Sequence, residues 1–181
     1  MKKIFFLIAF LTGLVSAQAQ FSSATLQASG LTCAMCTKAI NKSLEQLSFI
    51  ESVKPDIQNS AFNIVFKKDA AVDIDRLRKS VEDAGFSVAK LKLLTNFNNV
   101  AISNDDHITV DNKVYHFINV NKQVLNGNKE ITMVEKDFLT AKDYKKFSSA
   151  TKMPCLQTGK ASDCCVKGGI AAGTRIYHVT I

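Results

Sequence analysis

The chain has 181 residues, 46% of them hydrophobic and 22% charged, which suits one ordinary globular domain or two small ones and excludes a disordered chain. Twelve Phe and no Trp supply aromatic area that can be buried without a hydrogen-bond partner. The formal net charge of +7 is modest and its longest basic runs are pairs such as Lys67-Lys68 and Lys145-Lys146; this argues against a nucleic-acid partner and leaves charge to solubility and to steering toward an acidic protein.

Residues 1–19 read as a secretory signal peptide. Lys2 and Lys3 precede an apolar run from Ile4 to Val15, and Ser16-Ala17-Gln18-Ala19 offers a small-x-small cleavage pattern. The run is shorter than the ~20 residues a helix needs to cross a bilayer, so no stable membrane anchor is expected. The expectation is a soluble mature chain beginning near Gln20, exported to a bacterial periplasm and cleaved near Ala19.

Residues 20–95 alternate between strand and helix. Thr25 to Ser29 reads as a strand, and Gly30 to Met35 as a loop opening a helix whose Ile40, Leu44 and Leu47 share one face. Ile50 to Pro55 and Ala61 to Phe66 form a predicted hairpin, with Phe62, Ile64 and Phe66 on one side. Pro55 lacks an amide hydrogen, which places its strand at a sheet edge or ends it there. Asp73 caps a second helix carrying Ile74, Leu77 and Val81, Gly85 supplies a left-handed stop, and a strand starts from Phe86. The order βαββαβ predicts a ferredoxin-like, split βαβ unit with both helices on one sheet face and the other face exposed, so the fold class is α+β.

The polar stretch 96–106 reads as a linker, and residues 107–181 as a small β-rich domain of unknown role, with a partly closed barrel as its expected form. His107 to Val120, Ile131 to Phe138 and Thr174 to Ile181 look like strands, Asn126-Gly127 like a turn, and Thr140 to Phe147 like a short helix capped by Thr140.

Chemistry concentrates in the cysteines Cys33, Cys36, Cys155, Cys164 and Cys165, an odd number that disulfides within one molecule cannot consume. Cys33 and Cys36 are two residues apart at a predicted helix start, where free amides and the positive end of the macrodipole stabilise thiolates. Soft thiolates select Cu(I), Hg(II) or Zn(II) over hard ions, and a closed zinc site wants four ligands, so a bare pair favours two-coordinate Cu(I) or Hg(II). Open coordination also leaves room for a ligand from a metal transporter or another metal-binding protein.

The run Gly30-Leu31-Thr32-Cys33-Ala34-Met35-Cys36, inside this element order, resembles the heavy-metal-associated domain, a family that includes copper chaperones and a periplasmic mercury-binding protein. The resemblance spans Thr25 to Leu94 and implies a ferredoxin-like fold with Cys33 and Cys36 as metal ligands. It implies no catalysis: the role is binding of a soft metal, Cu(I) favoured, for transfer or detoxification. Leu31 stands where the family usually has Met and is expected to pack inward; Phe86 stands near the metal loop as packing beside it or as plain core.

A thiol-disulfide oxidoreductase using the same cysteine pair is the rival reading. Against it, Thr32 rather than an aromatic precedes Cys33, and neither Pro55 nor Pro154 is placed to face the pair. For Met153-Pro154-Cys155 and Asp163-Cys164-Cys165, the favoured account is a disulfide from Cys155 to Cys164 or Cys165 closing a short loop. A second soft-metal site with Met153 or His178 is the alternative. His107, His116 and His178 read as ordinary strand residues.

Overall fold

The computed structural model describes residues 20–31 and 33–181, so the signal-peptide expectation lies outside the described residues. The first half runs β1 (Phe21–Ser29), α1 (Ala34–Glu45), β2 (Ile50–Asp56), β3 (Ala61–Phe66), α2 (Ile74–Asp83) and β4 (Ser87–Ile102). Its strands pair in the order β2-β3-β1-β4, all antiparallel, which is the ferredoxin-like arrangement. The chain is α+β, with a β-rich half following this unit.

Periodicity explains the packing. Ile40 and Leu44 of α1 and Ile74, Leu77 and Val81 of α2 are fully buried, and each contributes roughly 1.5–3 kcal/mol relative to an exposed side chain. They meet Leu26, Phe62, Ile64 and Leu91 from the sheet in a single core. Ser43 joins the two helices, its Oγ lying 2.8 Å from both the carbonyl oxygen and the Oγ of Ser80. Asp73 accepts the Arg76 amide at 3.0 Å to cap α2, and Gly85 takes φ +87 beyond its end. The opposite sheet face carries exposed Asn63 and Val65. Pro55 lies on β2, an edge strand.

The second half contains β5 (His107–Val110), β6 (Lys113–Phe117), β7 (Gln123–Met133), a 3₁₀ turn (Lys136–Phe138), α3 (Ala141–Ser148), α4 (Cys155–Thr158), α5 (Asp163–Lys167) and β8 (Ile176–Thr180). Thr140 caps α3 by accepting the Asp143 amide at 3.2 Å. Three expectations need correction.

The segment 96–106 is not a linker through its length, because β4 continues to Ile102 and pairs with β7 from Lys92↔Thr132 to Ile102↔Gln123. Polarity misleads there because one face of the strand is wet: Phe97 and Ile102 point into the core while Asn96, Asn98 and Asn99 are exposed. Nor does the second half close into a barrel. Among the described residues, eight strands form one open sheet, β2-β3-β1-β4-β7-β8-β6-β5, with β6 and β8 parallel. Asn126-Gly127 is not a turn either; Gly127, at φ +70, sits within β7 opposite Phe97, beside a register shift in β4. The tight turn falls instead at Asp111-Asn112, where φ values of +48 and +56 suit the two-residue hairpin joining β5 to β6.

Arg175 ties the halves together. Its guanidinium reaches both carboxylate oxygens of Asp75 on α2 at 3.2 Å and those of Glu135 at 2.9 and 2.6 Å, and it lies 4.2 Å from the ring centroid of Tyr177. Burial alone would raise both carboxyl pKa values. The hydrogen bonds from Arg175, joined at Glu135 by His178, hold them below the ordinary range instead.

Candidate metal centre

β1 delivers the chain to Gly30, at φ +79, and α1 begins after Cys33. Cys33 is extended (φ −148, ψ 155) and caps the helix: its carbonyl accepts the Cys36 and Thr37 amides at 3.1 and 3.3 Å, and its Sγ accepts the Cys36 amide at 3.2 Å. The cap turns both sulfurs to one side of the helix tip. Their Cα atoms are 5.3 Å apart, and the Sγ atoms are joined as a disulfide, the oxidised form of the pair. The thiolate form anticipated from the sequence is therefore its two-electron reduced counterpart.

The pair is accessible, with Cys33 exposed and Cys36 half-buried. A hollow of about 200 Å³ beside Cys33 is lined by Leu31, Ala34, Thr37, Asp56, Ile57 and Ser60. Met35 and Ile57, each 74% exposed, add apolar surface near it. Asn59 donates to Asp56 from its side chain and its backbone, which lowers the Asp56 carboxyl pKa. Leu31 and Phe86 are half-buried and pack against the main core.

Such a fold, with two cysteines three positions apart at an exposed helix tip, defines the class of small metal-binding modules that work through thiols. The heavy-metal-associated domain model matches residues 25–87. The chain is 30% identical over 66 residues to the copper chaperone CopZ of Bacillus subtilis, covering 36% of this chain and 94% of CopZ. To the mercuric transport protein periplasmic component of Serratia marcescens it is 27% identical over 86 residues, covering 48% of this chain and 93% of that protein. It matches a probable copper-transporting ATPase of Arabidopsis thaliana at 31% identity over 71 residues, 39% of this chain, but spans only 7% of that protein's length. Among solved structures, a CopZ metallochaperone aligns with a TM-score of 0.35 at 22% identity, covering 38% of this chain and all of that one. Oxidized MerP from Ralstonia metallidurans aligns with a TM-score of 0.34 at 26% identity, covering 39% and 96%. Through residues 25–87 the chain belongs to the heavy-metal-associated domain family.

The second half gathers residues that are far apart in sequence. The disulfide favoured from the sequence is not formed: Cys155, Cys164 and Cys165 are all free. Their sulfurs nevertheless converge within 4.8 Å of one another. Burial, reinforced by the two neighbouring thiols, pushes Cys155 up to about 12. A thiol that stays protonated and enclosed, as Cys155 does, is slow to oxidise; at the half-buried Cys164 a hydrogen bond from Ser162 lowers the thiol pKa instead.

The histidines are not scattered. Strand register aligns His107 with His116 and His116 with His178, so three imidazoles form a row across β5, β6 and β8. His107 stacks on His116 with centroids 4.4 Å apart, and His178 meets His116 edge-on at 5.1 Å. Burial, and then the charges of His178 and His107, depress His116 to about 4, so its ring is neutral near pH 7. The row was invisible in the sequence because it depends on two strand registers, one of them a parallel pairing across a long connection. In the sequence His178 is a candidate ligand for the second cysteine cluster, while His107 and His116 carry no local signal beyond residue type.

Proposed function

We propose that the protein is a non-catalytic carrier of a soft heavy-metal ion in the periplasm, holding Cu(I) between the thiolates of reduced Cys33 and Cys36. The observation carrying this reading is the position of the pair: accessible, at the capped tip of α1, within a heavy-metal-associated domain. Two sulfurs leave the ion under-coordinated, so a thiolate from a metal transporter or another metal-binding protein can join before the first ligands leave. The likeness to a copper chaperone supports Cu(I) as cargo, while the likeness to a mercuric transport component supports Hg(II) as the second reading. Zn(II) suits the pair less, since it prefers four ligands.

A purely structural disulfide is disfavoured by its loop. A sequence separation of three constrains the unfolded chain little, and the entropic stabilisation of a crosslink grows with loop length. Anaerobic Cu(I) titration of the reduced full chain tests the proposal. Cys33→Ser/Cys36→Ser should remove one tightly bound equivalent; an unchanged stoichiometry rejects these residues as ligands. Catalysed reduction of insulin disulfides that depends on the same two cysteines would favour the oxidoreductase instead.

A further inference from the structure

The loop at α1 accounts for two cysteines, and the other three are brought together by folding. Cys155 opens α4, Cys164 and Cys165 lie in α5, and the three sulfurs fall within 4.8 Å of one another, with 3.7 Å between the Sγ atoms of Cys164 and Cys165. Metal–sulfur bonds of ~2.3 Å put the sulfurs of a three-coordinate thiolate site ~4 Å apart, so these spacings need only small adjustment to enclose one ion. Cys155 and Cys165 are 0% and 1% exposed, whereas Cys164 is half-buried. Two ligands are thus shielded and one is reachable from solvent.

The histidine row supplies the surroundings that ligand sites need. Nε2 of His116 lies 3.0 Å from Oδ1 of Asp105, so a carboxylate accepts its proton and fixes the tautomer; Nδ1 is left as an acceptor and takes the thiol hydrogen of Cys155, whose sulfur lies 3.5 Å away. An imidazole held by a carboxylate on one nitrogen, with the other left as a lone-pair donor, is the usual arrangement of a metal-binding histidine. His178 repeats it, with Nδ1 3.0 Å from Oε1 of Glu135 and its enclosed Nε2 without a partner among the described residues. His107 also has an enclosed, unpartnered Nε2, and it falls with His116 and Cys155 in a second set of converging donor atoms. Burying these two ring nitrogens without partners is costly unless something engages them.

We propose that Cys155, Cys164 and Cys165 form a second site for a thiophilic metal ion in the C-terminal half, with His116 as the imidazole beside Cys155. The probe that matches three soft thiolates is Cu(I). Cys164 is the entry ligand, and Cys155 and Cys165 retain the ion below the surface. The site stands on residues separate from Cys33 and Cys36 and does not depend on their role.

The test uses the reduced full chain carrying Cys33→Ser/Cys36→Ser, titrated anaerobically with Cu(I) against a chromophoric Cu(I) chelator. One equivalent should remain bound, and adding Cys164→Ser should weaken it at least tenfold with an unchanged far-UV circular dichroism spectrum. Cys164 is chosen because serine at the two core positions risks unfolding the chain. Copper-edge X-ray absorption should report three sulfur neighbours. No Cu(I) bound in the chain lacking the first pair, or an affinity that Cys164→Ser leaves unmoved, overturns the proposal. So does a disulfide from Cys155 to either neighbour in protein isolated with copper present.

Discussion

Cys33 combines two tasks that substitutions can separate, because its Sγ both caps α1 and belongs to the pair. Serine keeps a capping oxygen and alanine does not, so Cys33→Ala should be less stable than Cys33→Ser by about 1 kcal/mol in urea denaturation, while both lose the Cu(I) equivalent assigned to the pair. Equal stability would deny the cap. The pair was legible in the sequence because its chemistry lies within four consecutive residues. The histidine row was not, since His107, His116 and His178 become neighbours only through β5, β6 and β8. The row also makes an acid prediction. His116 is held neutral down to about 4 in the fold, whereas an unfolded histidine protonates near 6.5. A depressed folded pKa means that stability present above ~6.5 is lost as pH falls toward 4, because the unfolded chain takes up the proton first. Asp75 and Glu135, with lowered pKa values, add a further loss below the ordinary carboxylate range. Thermal midpoints of the metal-free protein should therefore fall steadily from pH 7 to pH 4.

Among the elements, β4 departs furthest from what its sequence suggests. Its first half alternates as a buried-edge strand should, and that much is readable. The second half is rich in asparagine, and only pairing with β7 makes it a strand, with Asn96 donating to Asn128 across the ladder at 2.9 Å. Phe97, 1% exposed and set opposite Gly127, is the apolar anchor of this extension. Phe97→Ala should cost about 4 kcal/mol through lost burial and the cavity left behind, measured as a lowered midpoint in urea with an unchanged slope. A cost under about 1 kcal/mol would mark residues 96–102 as the loosely attached segment their composition suggests.

Across the described residues, the main core runs from Leu26 and Leu77 through Phe97 to Tyr115, Phe117 and Val179, with two smaller apolar clusters, around Leu139 and around Cys165, beside it in the second half. The two halves are therefore expected to unfold together: tyrosine fluorescence, which reports Tyr115, Tyr144 and Tyr177, all in the second half, should trace the same denaturation curve as far-UV circular dichroism. Separate transitions would mean that the shared sheet is not a shared folding unit. Arg175→Ala should lower stability by about 3 kcal/mol at neutral pH, chiefly because it leaves the enclosed Glu135 carboxylate without its cation, whereas the more exposed Asp75 keeps the Tyr177 hydroxyl; the additional variant Glu135→Gln should recover part of the loss.

By lying along β4, β7 also removes a free margin that the split βαβ unit alone would leave open to any passing extended peptide. The outermost strands are β2, interrupted by Pro55, and the four-residue β5, while β7 meets β8 only at Thr132 and Met133 and so keeps a margin of its own over 123–131. Another protein adding a strand therefore finds its most open backbone along the outer side of β7, whereas the tip that carries the cysteine pair presents the side chains of Met35 and Ile57.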